Sequence, residues 1–299
     1  MSSVSALKNK LVLVARSGTY VNFAPSQVQK YHHETERFLM NSSDELDAVE
    51  LFDVYEMQFH LALITSHDVE AKAILDRLVD QFGSSENSQR IRLLQSKYLE
   101  VMGEPEQALK VLGNDPDELR LSRRLTTNSR KSGNAEEYIA NLNFYLDLQP
   151  SDLITWAELG DEYAKVGHYD KAVFSLQEIL LQEPFAYPVF YKVGLYNYYR
   201  FLQEEQALKT ERKDKLWELV EILQDARNNY LRSVEICDVY IKSWIGIYLI
   251  SSHKFNDKLR KLNSVKEVAK FLEQNDKLKT LSEKKIRELD QEAWAQIKQ

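Results

Sequence analysis

LITWAELGDEYAKVGHYDKAVFSLQEILLQEPFA, residues 153–186, decides how this chain is read. Trp156, Leu159, Gly160, Tyr163, Gly167, Tyr169, Ala172 and Pro184 stand at the spacings of a repeating helix–turn–helix unit of 34 residues. Trp156, Leu159 and Tyr163 fall on one helical stripe, which predicts that Trp156 and Tyr163 are core residues. Gly160 leaves room for the partner helix to approach, and Gly167 opens the turn. Ala172 is the small residue at the closest helix–helix contact. Pro184 ends the second helix, because proline cannot continue the hydrogen-bond ladder.

This is the pattern of a tetratricopeptide repeat, and it recurs in both directions. Steps of 34 residues back from Pro184 land on Pro150 and Pro116. Gly133 takes the place of Gly167, with Tyr138 and Leu142 replacing the expected alanine and aromatic. Gly103 and Ala108 keep their mutual spacing, but Pro116 follows too soon, so that second helix is expected to be short by about one turn. Ala71, Leu75 and Leu78 mark an earlier second helix, and Tyr55, Phe59 and Ala62 its partner. Downstream, Phe190 and Gly194 sit one period after Trp156 and Gly160. The pattern then resumes as Ala226, Tyr230 and Trp244, with about 20 extra residues centred on Gln203–Lys215. That insertion carries Glu204, Glu205, Lys209, Glu211, Arg212, Lys213 and Asp214 without Gly or Pro, so it is expected to lengthen the flanking helices. Trp244 begins a further helix that runs through Ser252.

The fold class that follows is an all-α tetratricopeptide-repeat α-solenoid with N- and C-terminal flanking helices, in which roughly five pairs stack because none can bury its apolar face alone. Residues 1–45 read as capping helices, Ala6–Arg16 and Pro25–Met40, joined by Ser17–Asn22. Residues 46–253 form the repeat array, its first pair starting from Ser43–Glu45 and broken at Gly83–Ser88. Residues 254–299 read as one or two charged helices, with Leu259, Leu262, Val265, Val268, Leu272, Leu278, Leu281, Ile286, Leu289 and Ile297 as apolar positions.

A net charge of −7 argues against nucleic acid as a partner, because phosphate contacts need a clustered basic surface. Residues 254–299 hold 12 Lys/Arg against 8 Asp/Glu, a net of +4 that leaves −11 for the rest. Their mixed, helix-spaced charges read as a solvated face rather than a membrane-binding patch. Leu11–Ala15 is shorter than the apolar core of a signal peptide, and Trp244–Ile250 is far short of a membrane span, so neither is expected. Cys237 is the only cysteine, which fits a reducing compartment.

Nothing in the sequence marks an active site. Phosphate-cradling and nucleophile-elbow motifs are absent, and no cofactor or metal is expected. His32 and His33 point about 100° apart on a helix and read as a surface pair. His60, His67, His168 and His253 are isolated in sequence, and Cys237 reads as a small buried hydrophobe.

Binding is the better-supported class. The first helix of each repeat lines the concave face, and the register set by Trp156 places Tyr191, Leu195, Tyr198 and Tyr199 there, followed by Ile245 and Leu249. These six form either an apolar, aromatic groove or part of the core, and helical spacing alone does not separate the two. If they line a groove, something must cover it: the chain's own C-terminal helix, through Leu281, Leu289 or Trp294, or a partner's helix. The segment after Pro116 contributes Arg120, Arg123, Arg130 and Lys131, a basic stretch suited to an acidic partner segment. Ala157 and Asp161 take the comparable inward positions of the best repeat. A carboxylate there weighs against the rival reading, a co-chaperone adaptor that clamps peptide termini.

The run WAELGDEYAKVGHYDKAVFSLQEILLQEPFAYPVFYKVG, Trp156 to Gly194, resembles the subunit 2 family of the endoplasmic reticulum membrane protein complex. So does the order of parts: the Tyr55–Phe82 pair, SKYLEVMGEPEQALKVL from Ser96 to Leu112, NAEEYIANLNFYLDLQP ending at Pro150, and the packing around Arg232–Ile236 before YIKSW. The resemblance covers roughly residues 45–253. It implies a non-enzymatic scaffold, peripheral on the cytosolic face of the endoplasmic reticulum membrane. Such a scaffold organises the cytosolic cap of a hetero-oligomer that inserts tail-anchored and multipass proteins, and its partners include the Oxa-type insertase subunit.

Overall fold

A computed structural model describes residues 3–83, 88–113, 118–208, 213–261 and 266–297. Pro116, Lys209, Glu211, Arg212, Leu262 and Val265 lie outside these residues. The chain divides into two compact units, 1–132 and 133–299. In both, the described elements are helical.

The first unit contains α1 (Ser3–Ser17), α2 (Pro25–Ser42), α3 (Ala48–Ile64), α4 (Asp68–Phe82), α5 (Gln89–Val101), α6 (Pro105–Leu112) and α7 (Leu119–Ser129). Two helices, α1 and α2, occupy the N-terminal segment, and Pro25 occupies the first turn of α2. Leu11, Val28 and Phe38 from these helices pack with Met57 and Leu61 of α3. The first pair begins later than Ser43–Glu45, which forms only a single 3-10 turn. Asp47 is the starting cap instead: its Oδ1 accepts from the amides of Val49 (2.9 Å) and Glu50 (2.8 Å), while Glu50 accepts from the Asp47 amide. Tyr55, Phe59 and Ala62 pack with Ala71, Leu75 and Leu78 as the pattern requires. Helix α6 has only 8 residues, the shortening expected from Pro116. Arg92 tethers the end of this short helix, donating to the carbonyls of Val111 (3.0 Å) and Leu112 (2.6 Å) and to both carboxylate oxygens of Glu118.

The second unit contains α8 (Ala135–Leu148), α9 (Leu153–Lys165), α10 (Tyr169–Gln182), α11 (Tyr187–Ala207), α12 (Lys213–Ile236), α13 (Ile241–Ser252), α14 (Phe255–Lys261), α15 (Lys266–Leu289) and α16 (Gln291–Ile297). A Cβ on Gly160 would lie 3.3 Å from the Ala172 carbonyl oxygen, the close approach that the repeat pattern calls for. Tyr138 and Leu142, the atypical residues of the degenerate repeat, are 2% and 0% exposed and pack on Leu146 and Leu159. Trp156 and Tyr163 are half-buried rather than core. Each keeps a polar tip at the rim: Trp156 Nε1 donates to the Pro150 carbonyl at 2.8 Å, and the Tyr163 hydroxyl accepts from Asn143 at 3.2 Å.

Helices α11 and α12 run to 21 and 24 residues, the lengthening expected of the charged insertion. Among the described residues the C-terminal region forms three helices rather than one or two, and the last of them starts where Asp290 accepts from the amides of Glu292 (2.9 Å) and Ala293 (3.0 Å). Helix α15 packs along α13 and supplies Phe271, Leu272 and Ile286 to the core shared with Tyr230, Trp244 and Ile247. Cys237 lies half-buried just past the end of α12 rather than within it.

Candidate partner-binding surfaces

In the second unit, Tyr191, Leu195 and Tyr198 of α11 and Ile245 of α13 are half-buried and lean on one core cluster. Tyr199 and Leu249 project further, at 40% and 41% exposure. The stripe is therefore built of side chains with buried bodies and accessible edges. Aromatic neighbours that the sequence reading missed extend it. Tyr191 lies 5.9 Å from Tyr230 and 5.5 Å from Tyr240, Tyr187 lies 5.0 Å from Tyr240, and Tyr199 lies 5.7 Å from Tyr169, all between ring centroids. The Tyr-rich wording of residues 187–199 was the available signal, but Tyr169 and Tyr240 sit in different sequence segments and only folding gathers them. Burial pushes the Tyr191 and Tyr198 hydroxyls above the ordinary tyrosine value, so they stay protonated donors.

Of the three residues that the chain's own C-terminal helix would use as cover, if a partner's helix does not supply it, Trp294 is buried with its ring edge-on to Tyr248 at 5.2 Å. Leu281 and Leu289 remain 45% and 37% exposed. Asp161, the carboxylate argued to repel a peptide terminus, is not a lone charge. Lys192 Nζ lies 2.8 Å from both of its oxygens, and the Tyr196 hydroxyl donates to it at 2.7 Å.

In the first unit, the four basic residues have different surroundings. Arg120 and Arg130 are exposed, whereas Arg123 is half-buried and donates to Thr127 at 3.2 Å. Lys131 reaches Glu100 of α5 at 2.6 Å and shares that carboxylate with Arg124, also at 2.6 Å. Burial pushes the Glu100 carboxyl up, but the Lys131 hydrogen bond and the Arg124 charge outweigh it and hold the group below the usual carboxylate range. One buried carboxylate thus faces two cations, leaving a local positive balance. Arg124 and Glu100 were not singled out in the sequence, because their pairing joins helices 24 residues apart.

A second polar network runs beside this one. Lys97 Nζ stands 3.0 Å from His60 Nε2, and the Tyr20 hydroxyl 3.0 Å from His60 Nδ1. An ammonium only donates, so Nε2 accepts, and the neutral ring donates through Nδ1 to Tyr20. Burial first, then the charges of Lys97 and Arg124, lower the His60 pKa to about 3. Burial also raises the Tyr20 hydroxyl to about 12 and lowers the Lys97 amine. His32, expected as half of a surface pair, is only 3% exposed, whereas His33 lies in solvent. Folding sets His32 against the start of α4, where its ring stacks on His67 and meets Glu70.

No protein-family model matches the chain. It is 24% identical over 290 residues to ER membrane protein complex subunit 2 of Saccharomyces cerevisiae, covering 91% of this chain and 95% of that one. It is 32% identical over 202 residues to TPR repeat protein oca3 of Schizosaccharomyces pombe, covering 66% and 65%. With ER membrane protein complex subunit 2-A of Xenopus laevis it shares 24% identity over 220 residues, 72% and 68% of the two chains. Among solved structures, the C-terminal part of a TPR repeat-containing protein from Cytophaga hutchinsonii superposes with a TM-score of 0.52, at 14% identity and 95% coverage of both chains. That likeness bears on fold alone and agrees with the all-α tetratricopeptide-repeat class.

Proposed function

We propose that this chain, a tetratricopeptide-repeat member of the ER membrane protein complex subunit 2 family, is a non-catalytic scaffold on the cytosolic face of the membrane. In this reading it organises the cytosolic cap of that complex, holds the soluble ends of its membrane subunits, the Oxa-type insertase subunit among them, and so supports insertion of tail-anchored and multipass proteins. Among the described residues no helix is long and apolar enough to cross a membrane, which accords with attachment through partners. The observation that carries the reading is the α11–α13 stripe, where half-buried tyrosines support exposed Tyr199 and Leu249. Such a surface offers rigid amphipathic rings to a partner helix at small entropic cost. The exposed Arg120 and Arg130 add a salt-sensitive contact for an acidic segment.

Affinity purification from detergent-solubilised membranes tests the proposal. Multispanning subunits should accompany the parent chain, and Tyr199→Ser with Leu249→Ser should release them without changing helix content. Reversal of Arg120 and Arg130 to Glu should weaken the same assembly most at low salt. The pairing of Asp161 with Lys192 removes one objection to the co-chaperone reading, so recovery of heat-shock chaperones in place of membrane subunits would favour that alternative.

A further inference from the structure

We propose that the first unit carries a binding site for one divalent transition-metal ion, zinc by preference, formed on α2 by His32, His33 and Glu36. One potential ligand atom from each of the three lies within 4.8 Å of the others. Glu36 stands three and four residues after the two histidines, the separations at which helical side chains become neighbours.

The three groups differ in freedom in a way that suits capture of an ion. His32 is fixed: it is 3% exposed, its Nε2 lies 3.0 Å from Glu70 Oε2, and its ring stacks on that of His67 at 4.8 Å between centroids. Glu70 is itself held, since its Oε1 accepts from Gln58 Nε2 at 2.7 Å. A carboxylate on one imidazole nitrogen is the outer-shell arrangement that orients a metal-ligating histidine and raises its basicity. Nε2–H donates to the Glu70 carboxylate, so the ring nitrogen that can ligate an ion is Nδ1. His33 and Glu36 are more exposed, with side chains 75% and 37% accessible and a 3.8 Å contact between them.

Atoms no more than 4.8 Å apart place a central ion at most about 2.8 Å from each, and zinc needs about 2.0–2.2 Å. The remaining ~0.7 Å is closed by rotating the two exposed side chains onto the fixed histidine. A hollow of about 620 Å³, lined by His32, His33 and His67, gives an ion and its remaining waters access to the two histidines, while Glu36 lines a separate hollow beside Glu70. Two imidazoles and one carboxylate suit zinc, copper or nickel, and are poorly matched to magnesium or calcium, which take oxygen ligands.

Equilibrium dialysis of the full-length, chelator-stripped chain against zinc chloride should show one bound ion that excess magnesium does not displace. His33→Ala with Glu36→Ala should weaken it at least ~10-fold. Both positions are on the surface, so the metal-free thermal midpoint should stay as in the parent. Zinc should raise the midpoint of the parent but not of the variant, and Glu70→Gln should weaken binding by about 10–100-fold. Binding that persists unchanged in the double variant, or a parent that retains no zinc at micromolar concentration, would overturn the proposal.

Discussion

Gly246 on α13 faces the ring of Tyr230 on α12 so closely that a Cβ built on the glycine would fall 2.4 Å from Cζ. Gly194 on α11 meets the same ring, where a Cβ would fall 2.8 Å from Cδ1. One tyrosine, 1% exposed, thus sets the spacing of three helices. Gly→Ala inside a helix gains about 1 kcal/mol of propensity, whereas overpacking a rigid ring costs about 1–3 kcal/mol. Both helices would have to move, so the cost wins. Gly246→Ala should lower stability by up to ~2 kcal/mol in urea unfolding, and Tyr230→Leu in the same background should recover part of the loss. A more stable Gly246→Ala protein would show that the helices separate freely.

Trp156→Ala should cost about 1.5–2.5 kcal/mol, half the ~3–5 kcal/mol of a fully buried tryptophan, because the ring sits at a rim. The lost bond from Nε1 to the Pro150 carbonyl is included in that figure. Trp156→Phe keeps the packing against Phe174 and removes only the donor, so it should cost about 1 kcal/mol. Equal losses in the two variants would show that the hydrogen bond, not the ring, holds the position.

These contacts show what the sequence could and could not reveal. Residues whose partners lie within one repeat were legible: Tyr55 with Ala71, the close approach at Gly160, and the short α6 before Pro116. The degree of burial was not, because a stripe at helical spacing is the same whether its residues reach the core, as Leu159 does, or stop at a rim, as Trp156 does. The six candidate groove residues were placed on adjoining helices, but their ring partners Tyr169 and Tyr240 come from other segments. Charge pairing was the least legible. Glu100, which neutralises part of the basic stretch, and Lys192, which neutralises Asp161, are assigned only when separate helices meet.

His60 should give the first unit a distinctive acid response. In the folded chain it stays neutral down to about pH 3, whereas an exposed histidine titrates near 6.5. Between these values the unfolded chain binds a proton that the folded chain refuses. Stability therefore falls as the pH drops through that window, by up to ~1.4 kcal/mol per unit, and this group adds no pH dependence above it. The groups facing the ring are Tyr20, Lys97 and Arg124, and both cations reinforce the effect. Urea unfolding of the parent and of His60→Asn between pH 7 and 4 should show a smaller pH slope in the variant. Parallel slopes would mean that the ring is protonated in place.

Arg227 on α12 is 4% exposed and, among the described residues, has no carboxylate among its hydrogen-bond partners. Its guanidinium donates to Asn275 Oδ1 at 2.8 Å, Gln274 Oε1 at 2.8 Å and the Phe271 carbonyl at 3.4 Å, and lies 4.7 Å from the Phe271 ring centroid. Every one of these groups belongs to α15, so the docking of the C-terminal region depends on neutral acceptors that satisfy the two terminal nitrogens of a buried cation, whose Nε has no partner among the described residues. Removing an acceptor leaves the charge desolvated, which costs more than the net worth of the bond that is lost. Asn275→Ala should therefore cost about 2–3 kcal/mol in the parent background. In an Arg227→Met background the same substitution should cost less than ~1 kcal/mol, since no charge remains to be stranded. Deleting residues 256–299 removes all of these acceptors together with Phe271, Leu272 and Ile286, and should leave an aggregating protein, because Ile247 and Ile250 lose the helix that covers them. A truncated chain that stays monomeric and equally stable, or an Asn275→Ala loss that is the same in both backgrounds, would show that α15 is held by its apolar face alone and that Arg227 does not contribute to its docking.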